Sequence, residues 1–219
     1  MSLLRIRIVP LPAYKLAIFD FDGTLGDTMA WFLNESDAMA QRFGFLPIDR
    51  SNLDNLRHKS AREMMRIHKV PLLKLPMLAK HVQSMMQLDA GSIRLFDGVP
   101  EMLRTVHAAG VKIAVVSSNS EANIRVVLGP ELSGLVARFD CGASVFGKAR
   151  KFRKVMKTLG VKPSEAISIG DETRDIDAGR KAKLATAGVS WGYTQPQALA
   201  DKTPDHMLGN VPDVVALLT

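Results

Sequence analysis

The chain has 219 residues, 47% hydrophobic and 23% charged, a globular composition that excludes disordered and fibrous classes. Its 29 Lys and Arg against 22 Asp and Glu leave a formal charge of +7, which favours an anionic partner, either a phosphorylated molecule or a nucleic-acid surface. The single cysteine, Cys141, excludes an internal disulfide framework or a cysteine-based metal cluster, and a reducing, cytoplasmic compartment is expected.

In chain order, residues 1–9 alternate apolar side chains with Arg5 and Arg7, which predicts a strand-like extension rather than a signal peptide. Pro10 and Pro12 end it. No apolar run reaches the roughly 18 residues of a membrane span. Residues 16–19 are apolar without a break and stop abruptly at Asp20-Phe21-Asp22-Gly23-Thr24, the pattern of a strand buried on both faces.

Residues 28–96 carry no convincing buried strand. Helical periods appear over 30–43, 60–68 and 72–88. Seven of the eleven methionines fall here (29, 39, 64, 65, 77, 85 and 86), which suits the adaptable core of a small helical bundle. Ten Lys and Arg against six Asp and Glu give this stretch a local +4.

Beyond it the chain alternates. A helix over 100–109 precedes a buried strand over 111–116 that runs into Ser117-Ser118-Asn119. A helix over 121–128 closes at Gly129-Pro130, a short strand is predicted over 139–143, and a helix over 151–159 closes at Gly160. A third buried strand, 166–169, runs into Gly170-Asp171-Glu172, and a helix follows over 175–182. Alternating strands and helices imply an α/β fold, a doubly wound parallel sheet, interrupted by a helical insertion. Such sheets bind ligands beyond the carboxyl ends of their strands, where the polar clusters lie.

Asp20 and Asp22, two residues apart after a buried strand, can address one site, with Gly23 allowing a close turn. An isolated Asp-x-Asp is usually a solvated loop; here Ser117, Lys148 after Phe146-Gly147, and Gly170-Asp171-Glu172-Thr173-Arg174-Asp175 accompany it. Together these four motifs, in this order, resemble the haloacid dehalogenase-like hydrolase superfamily with its Rossmann-like core. Phe96-Asp97-Gly98-Val99-Pro100 and Ser190-Trp191-Gly192-Tyr193 are similar to its phosphoglycolate phosphatase branch. The resemblance implies a catalytic core over 10–27 and 97–219, with 28–96 as an α-helical cap.

By that resemblance Asp20 is the nucleophile, Asp22 the general acid and base, and Lys148 the neutralising ammonium. Thr24, Ser117 and the amide of Ser118 would contact phosphate. The implied cofactor is Mg2+, held by Asp20, the carbonyl of Asp22 and Asp171, with Asp175 acting through water or by orienting Lys148. Glu172 is either a further ligand or an exposed loop carboxylate. Ala149 stands where the family commonly has proline, so choosing Lys148 over Lys151 rests on Gly147 and on spacing. Asn119 could cap the next helix or touch substrate, and Asp177 is a favourable charge early in its helix.

Arg57, His58 and Lys59 lie where relatives carry a substrate-specificity loop, suiting a second anionic group on the substrate. An exposed basic turn capped by Ser60 explains the same residues. The resulting expectation is a Mg2+-dependent phosphatase for a small phosphorylated metabolite, with phosphoglycolate as the named candidate, acting as a monomer or homodimer without nucleic acid or membrane. A phosphomutase shares all four motifs. A dehalogenase would not use Asp22, and a phosphonate hydrolase would need a cap lysine, for which Lys59 or Lys69 has no supporting signature. The rival from another class is an anion- or nucleic-acid-binding module, supported only by the charge.

Overall fold

The computed structural model describes residues 14–142 and 147–219; the predicted extension over 1–9 lies outside them. The apolar run forms β1 (Leu16–Phe19), buried at every position. Alternation along the strand sends Ala17 and Phe19 to one face and Leu16 and Ile18 to the other. Both faces therefore need cover. A two-residue strand, β2 (Gly26–Asp27), leads into α1 (Met29–Phe43), α2 (Leu53–Leu56), α3 (Ala61–Ile67) and α4 (Leu75–Asp89), and a second short strand, β3 (Arg94–Leu95), follows. The chain then alternates through α5 (Val99–Ala108), β4 (Lys112–Val115), α6 (Glu121–Leu135), β5 (Val136–Phe139), α7 (Lys148–Leu159), β6 (Ala166–Gly170), α8 (Thr173–Ala182), β7 (Ala185–Val189), α9 (Pro196–Ala200), β8 (His206–Leu208) and α10 (Val211–Leu218).

Six strands make one parallel sheet in the order β5-β4-β1-β6-β7-β8. The chain moves outward from β1 through β4 to β5, then returns to the other side of β1 for β6. That reversal opens a crevice at the carboxyl end of β1. In register, Phe19 pairs with Val115 and with Ile169, so Asp20, Ser117 and Asp171 emerge at one edge within two residues of the last paired position. Leu103, Ile124 and Val214 from α5, α6 and α10 cover the face of Phe19 and Ile113. Phe152 and Val155 of α7 and Ala178 of α8 cover the face of Leu16 and Ile18.

Residues 29–89 hold four helices, and the antiparallel pairing of Gly26 with Leu95 and Asp27 with Arg94 brings the two ends of this excursion together. The helix at 60–68 starts one residue later than predicted because Ser60 caps it: the Ser60 hydroxyl and the Glu63 carboxylate form a reciprocal capping box. The run at 72–88 divides into a 3-10 turn, Leu72–Lys74, and α4. The break expected at Gly129-Pro130 is present as a kink within α6, with Gly129 at φ 71°.

Two expectations need correction. The strand predicted over 139–143 lies earlier, as β5, and Cys141 falls just beyond it. Burial pushes its thiol up to about 12, which favours the protonated form. Strands β7 and β8 were not predicted, because Ala185–Val189 is built of small residues and Thr, and the edge strand is only three residues long. No helix among the described residues is long and apolar enough to cross a membrane.

Phe152 is 1% exposed and wedges α7 against β1. Phe152→Ala is expected to lose about 3–5 kcal/mol of stability, read as a lower urea midpoint at unchanged slope.

Candidate active site

The loop after β1 turns back on itself: the amides of Thr24, Leu25 and Gly26 donate to the Phe21 carbonyl at 3.2, 2.9 and 2.9 Å. Gly23 sits at φ 75°, and a Cβ there would overlap the Asp171 carboxylate. Glycine is thus required by backbone conformation and by close approach together. The loop presents Asp20, whose Oδ1 accepts the Phe21 amide at 2.8 Å and whose Oδ2 lies 2.6 Å from Lys148 Nζ.

Lys148 is the first residue of α7 and also ion-pairs with Asp175 on the first turn of α8. Lys151 Nζ instead donates to the carbonyls of Ser117 at 3.0 Å and Gly142 at 2.9 Å, so of the two lysines it is Lys148 that lies between Asp20 and Asp175. Burial disfavours the Lys148 charge, but Asp175 and Asp20 outweigh it, so its pKa stands above that of an ordinary lysine. Asp171 directly follows β6 and is fully buried; its Oδ1 accepts the Thr24 hydroxyl and its Oδ2 the Tyr193 amide, each at 2.8 Å.

Oxygen atoms of Asp20, Asp171 and Asp175 lie within 4.8 Å of one another, and all three side chains are buried. Burial first, and then the neighbouring charges of Glu172, Asp20 and Asp175, hold the Asp171 carboxyl well above the usual range. Burial likewise raises Asp175 to about 6, with Lys148 pulling the other way. Three crowded carboxylates facing one ammonium are short of positive charge. An all-oxygen donor set of this kind fits a hard divalent cation such as Mg2+.

Asp22 sits two residues beyond Asp20 and is held separately. Its Oδ1 accepts from Asn119 Nδ2 at 3.2 Å and its Oδ2 from the Ser117 hydroxyl at 3.4 Å. Burial, then the Asp20 charge, raises its pKa to about 6. A carboxyl raised this far can hold and release a proton near neutral pH, as acid–base chemistry requires.

The remaining sequence-derived candidates divide. Thr24 is in the site, but its hydroxyl holds Asp171, while Ser117 faces Asp22. The carbonyl of Ser118 accepts from Gln83 of α4 at 2.7 Å. Asn119 does not cap α6; Ser120 does, and Asn119 is turned to Asp22. Glu172 pairs with Arg174 at 2.5 Å and stands outside the carboxylate triad. Asp177 pairs with Lys202, away from the triad. His58, Lys59 and Lys69 are exposed, whereas Arg57 is half-buried and donates to core carbonyls, at 2.8 Å to Tyr193 and 2.9 Å to Gly192. A cleft of about 300 Å³ runs from Lys148, Ser117 and Arg174 to Ser60, Arg62 and Met65 of the helical excursion.

Sequence reasoning assigned no role to Arg174 or to Tyr193. Arg174 is held in its charged form by Glu172 against the cost of burial, and it adds a second cation beside the triad. The Tyr193 hydroxyl meets Thr28, and its amide holds Asp171. The signal for Tyr193 lay in the Ser190–Tyr193 signature, but a main-chain donor leaves no residue-type trace.

A doubly wound parallel sheet with a buried aspartate at the end of β1, a lysine bridging two motifs and a buried oxygen-only triad is an arrangement suited to phosphoryl-transfer hydrolases. The haloacid dehalogenase-like hydrolase family model matches residues 17–189, and the chain belongs to that family. It is 30% identical over 203 residues to the phosphoglycolate phosphatase of Synechococcus elongatus, covering 92% of this chain and 96% of the relative. It is 29% identical over 195 residues to the N-acetylmuramic acid 6-phosphate phosphatase of Pseudomonas aeruginosa, covering 84% of each. Among solved structures, a haloacid dehalogenase-like hydrolase from Streptococcus pneumoniae superposes with a TM-score of 0.77 at 16% identity, over 93% of this chain and 98% of that one. The fold is thus shared where little sequence is, and the relatives place the chain on the phosphoglycolate phosphatase-like branch.

Carboxyls with raised folded-state pKa bind protons more readily than in the unfolded chain, where Asp titrates near ~4. For chelator-treated protein, Asp22 and Asp175 therefore make stability fall as pH rises from about 4 through about 6. A cation competes with these protons. The increase in Tm on adding Mg2+ is expected to be larger at pH 8 than at pH 5, and thermal scans at both pH values check it.

Proposed function

We propose that this chain is a Mg2+-dependent phosphatase that hydrolyses a small phosphorylated metabolite, with phosphoglycolate the first candidate, through an aspartyl-phosphate. The observation that carries the reading is the buried Lys148 ammonium between Asp20 and Asp175, with Asp171 closing the triad. A carboxylate attacking an anionic phosphate meets like-charge repulsion, and positive charge must be in place beforehand. Lys148 supplies part of it from the protein.

In the first step an oxygen of Asp20 forms a bond to phosphorus, and the bond from phosphorus to the leaving alkoxide oxygen breaks. Asp22, raised to about 6 and poised by Asn119 and Ser117, gives that oxygen its proton. In the second step a water attacks phosphorus, Asp22 takes its proton, and Asp20 is released with inorganic phosphate. Splitting the displacement in two avoids a single difficult hydrolysis. The Ser117 hydroxyl and the Ser118 amide suit the non-bridging phosphate oxygens, and Thr24 keeps Asp171 aimed inward.

The group that Asp20, Asp171 and the Asp22 carbonyl would hold is Mg2+, with Asp175 in support; it supplies charge neutralisation of the phosphate. Residues 28–96 act as a cap over this edge, and His58 and Lys59 remain available to a second anionic group on the substrate. Support for a phosphorylated metabolite comes from the Synechococcus and Pseudomonas relatives, whose names both specify phosphate monoesters.

Asp20→Asn is expected to lower hydrolysis of a chromogenic aryl phosphate by about 10³-fold or more, and Asp22→Asn by about 10²–10⁴-fold. Equal activity in wild type and Asp20→Asn would reject the nucleophile. Chelation should abolish turnover and Mg2+ restore it. A panel of phosphoglycolate, sugar phosphates and nucleotides, ranked by kcat/KM, tests the substrate; a sharp preference for a compound other than phosphoglycolate would overturn that choice.

A further inference from the structure

The segment Trp191-Gly192-Tyr193, following β7, touches the catalytic edge with three consecutive residues. Trp191 Nε1 donates to the Thr24 carbonyl at 3.1 Å. Gly192 is packed so closely that a Cβ would collide with Asp171 and with the Gly23 carbonyl. The Tyr193 amide donates to Asp171 Oδ2, and its hydroxyl meets Thr28. Whatever holds this segment holds Asp171.

Arg57 grips it from the helical excursion. Its Nε and Nη2 donate to the carbonyls of Tyr193 and Gly192, and its own carbonyl accepts the Gln195 amide at 3.0 Å. Arg57 is anchored in turn, since it ends α2 and its amide donates to Leu53 at 2.9 Å. A planar guanidinium meeting two successive carbonyls fixes their orientation, which a single point donor does not. On the opposite side Gln83 bridges α4 to the Ser118 carbonyl and the Asn123 side chain, so the excursion is tied to both loops that frame the nucleophile.

We infer that Arg57 is a positioning residue, a latch that couples seating of the helical segment on the core to the orientation of the Asp171 carboxylate, and that it is not a substrate ligand. The inference rests on the reading of Asp171 as a metal-holding carboxylate. When Arg57 is engaged, the 192–193 peptide is pinned, the Tyr193 amide stays on Asp171 Oδ2, and the other oxygen is kept by Thr24. When the helical segment swings away, that pin is withdrawn, so the metal-holding carboxylate is fully ordered only in the closed arrangement. Hydrolysis is then suppressed while the site is open to water.

The test uses full-length protein carrying Trp31→Phe, which leaves Trp191 as the only tryptophan. Mn2+ is titrated as the probe, read by the electron paramagnetic resonance signal of free Mn2+ and by Trp191 emission. Arg57→Ala is expected to weaken Mn2+ binding about 10-fold, as loss of groups that orient a metal's ligands does, to shift Trp191 emission, and to lower kcat on an aryl phosphate with KM nearly unchanged. Arg57→Lys, which keeps the charge but not the paired bonds, should retain part of the loss. Unchanged Mn2+ affinity and kcat in folded Arg57→Ala would overturn the latch, as would an effect confined to KM or to substrate ranking. Full rescue by Arg57→Lys would also overturn it, by assigning the effect to charge. Should Arg57→Ala fail to fold, the Lys variant carries the same measurements. Absence of Mn2+ binding in the parent would instead reject the metal-site reading itself.

Discussion

Everything at the catalytic edge depends on one buried ammonium. Lys148 is taken out of water between Asp20 and Asp175, with Asp171 close by, and an ion so placed loses several kcal/mol of hydration. The loss is tolerable because two carboxylates return it as attraction in a poorly solvated site. The balance is still uneven, with more buried negative charge than Lys148 can answer; burial first, and then the neighbouring carboxylates, keep Asp171 and Asp175 above their normal pKa. The same excess of negative charge makes the site attractive to a cation. Stability is traded locally for reactivity, as expected at a functional edge.

The sheet makes that placement possible. Asp20, Ser117 and Asp171 stem from the three central strands β4, β1 and β6, which share a register and end together. The rigid element below them is the two-sided apolar core, in which Phe152 and Leu103 oppose one another across the sheet. Lys148 and Asp175 then enter from the first turns of α7 and α8, elements tied to the same sheet. Side chains on strand ends and helix starts are more narrowly placed than side chains on long loops, which suits a reaction sensitive to small displacements.

The helical excursion is attached twice over. The short β2–β3 pairing closes its base, while Arg57 and Gln83 tie it to the loops beside Asp171 and Asp22. Its surface is different in character, with Leu72, Leu73, Met77 and Leu88 exposed on or near α4. None of residues 29–89 belongs to the two apolar clusters that flank the sheet, so the seating of this segment on the core rests on a small number of specific polar ties.

Much of the fold was legible in the sequence because its signals are local. Unbroken apolar runs announced β1, β4 and β6, closing glycines marked the helix ends, and Asp-x-Asp-Gly-Thr-Leu with its three companion motifs identified the family; Asp20 and Asp171 were expected to share a metal with the Asp22 carbonyl, whereas the carboxylate that the fold brings beside them is Asp175. Strands β7 and β8 escaped because small residues and three-residue edges carry little periodicity. In sequence the choice of Lys148 over Lys151 rests on Gly147 and on spacing; in the fold Lys148 lies between Asp20 and Asp175, and Lys151 is bonded to two main-chain carbonyls. Arg57 shows the limit most clearly: in sequence it is one basic residue in a basic turn, and only tertiary structure turns its guanidinium onto Gly192 and Tyr193. The sequence by itself determined which chemical groups are present and which strand ends carry them. The tertiary structure decided which of those groups meet, because hydrogen bonds to main-chain atoms and the pKa of a buried carboxyl depend on distance and solvation, and neither is written in residue type.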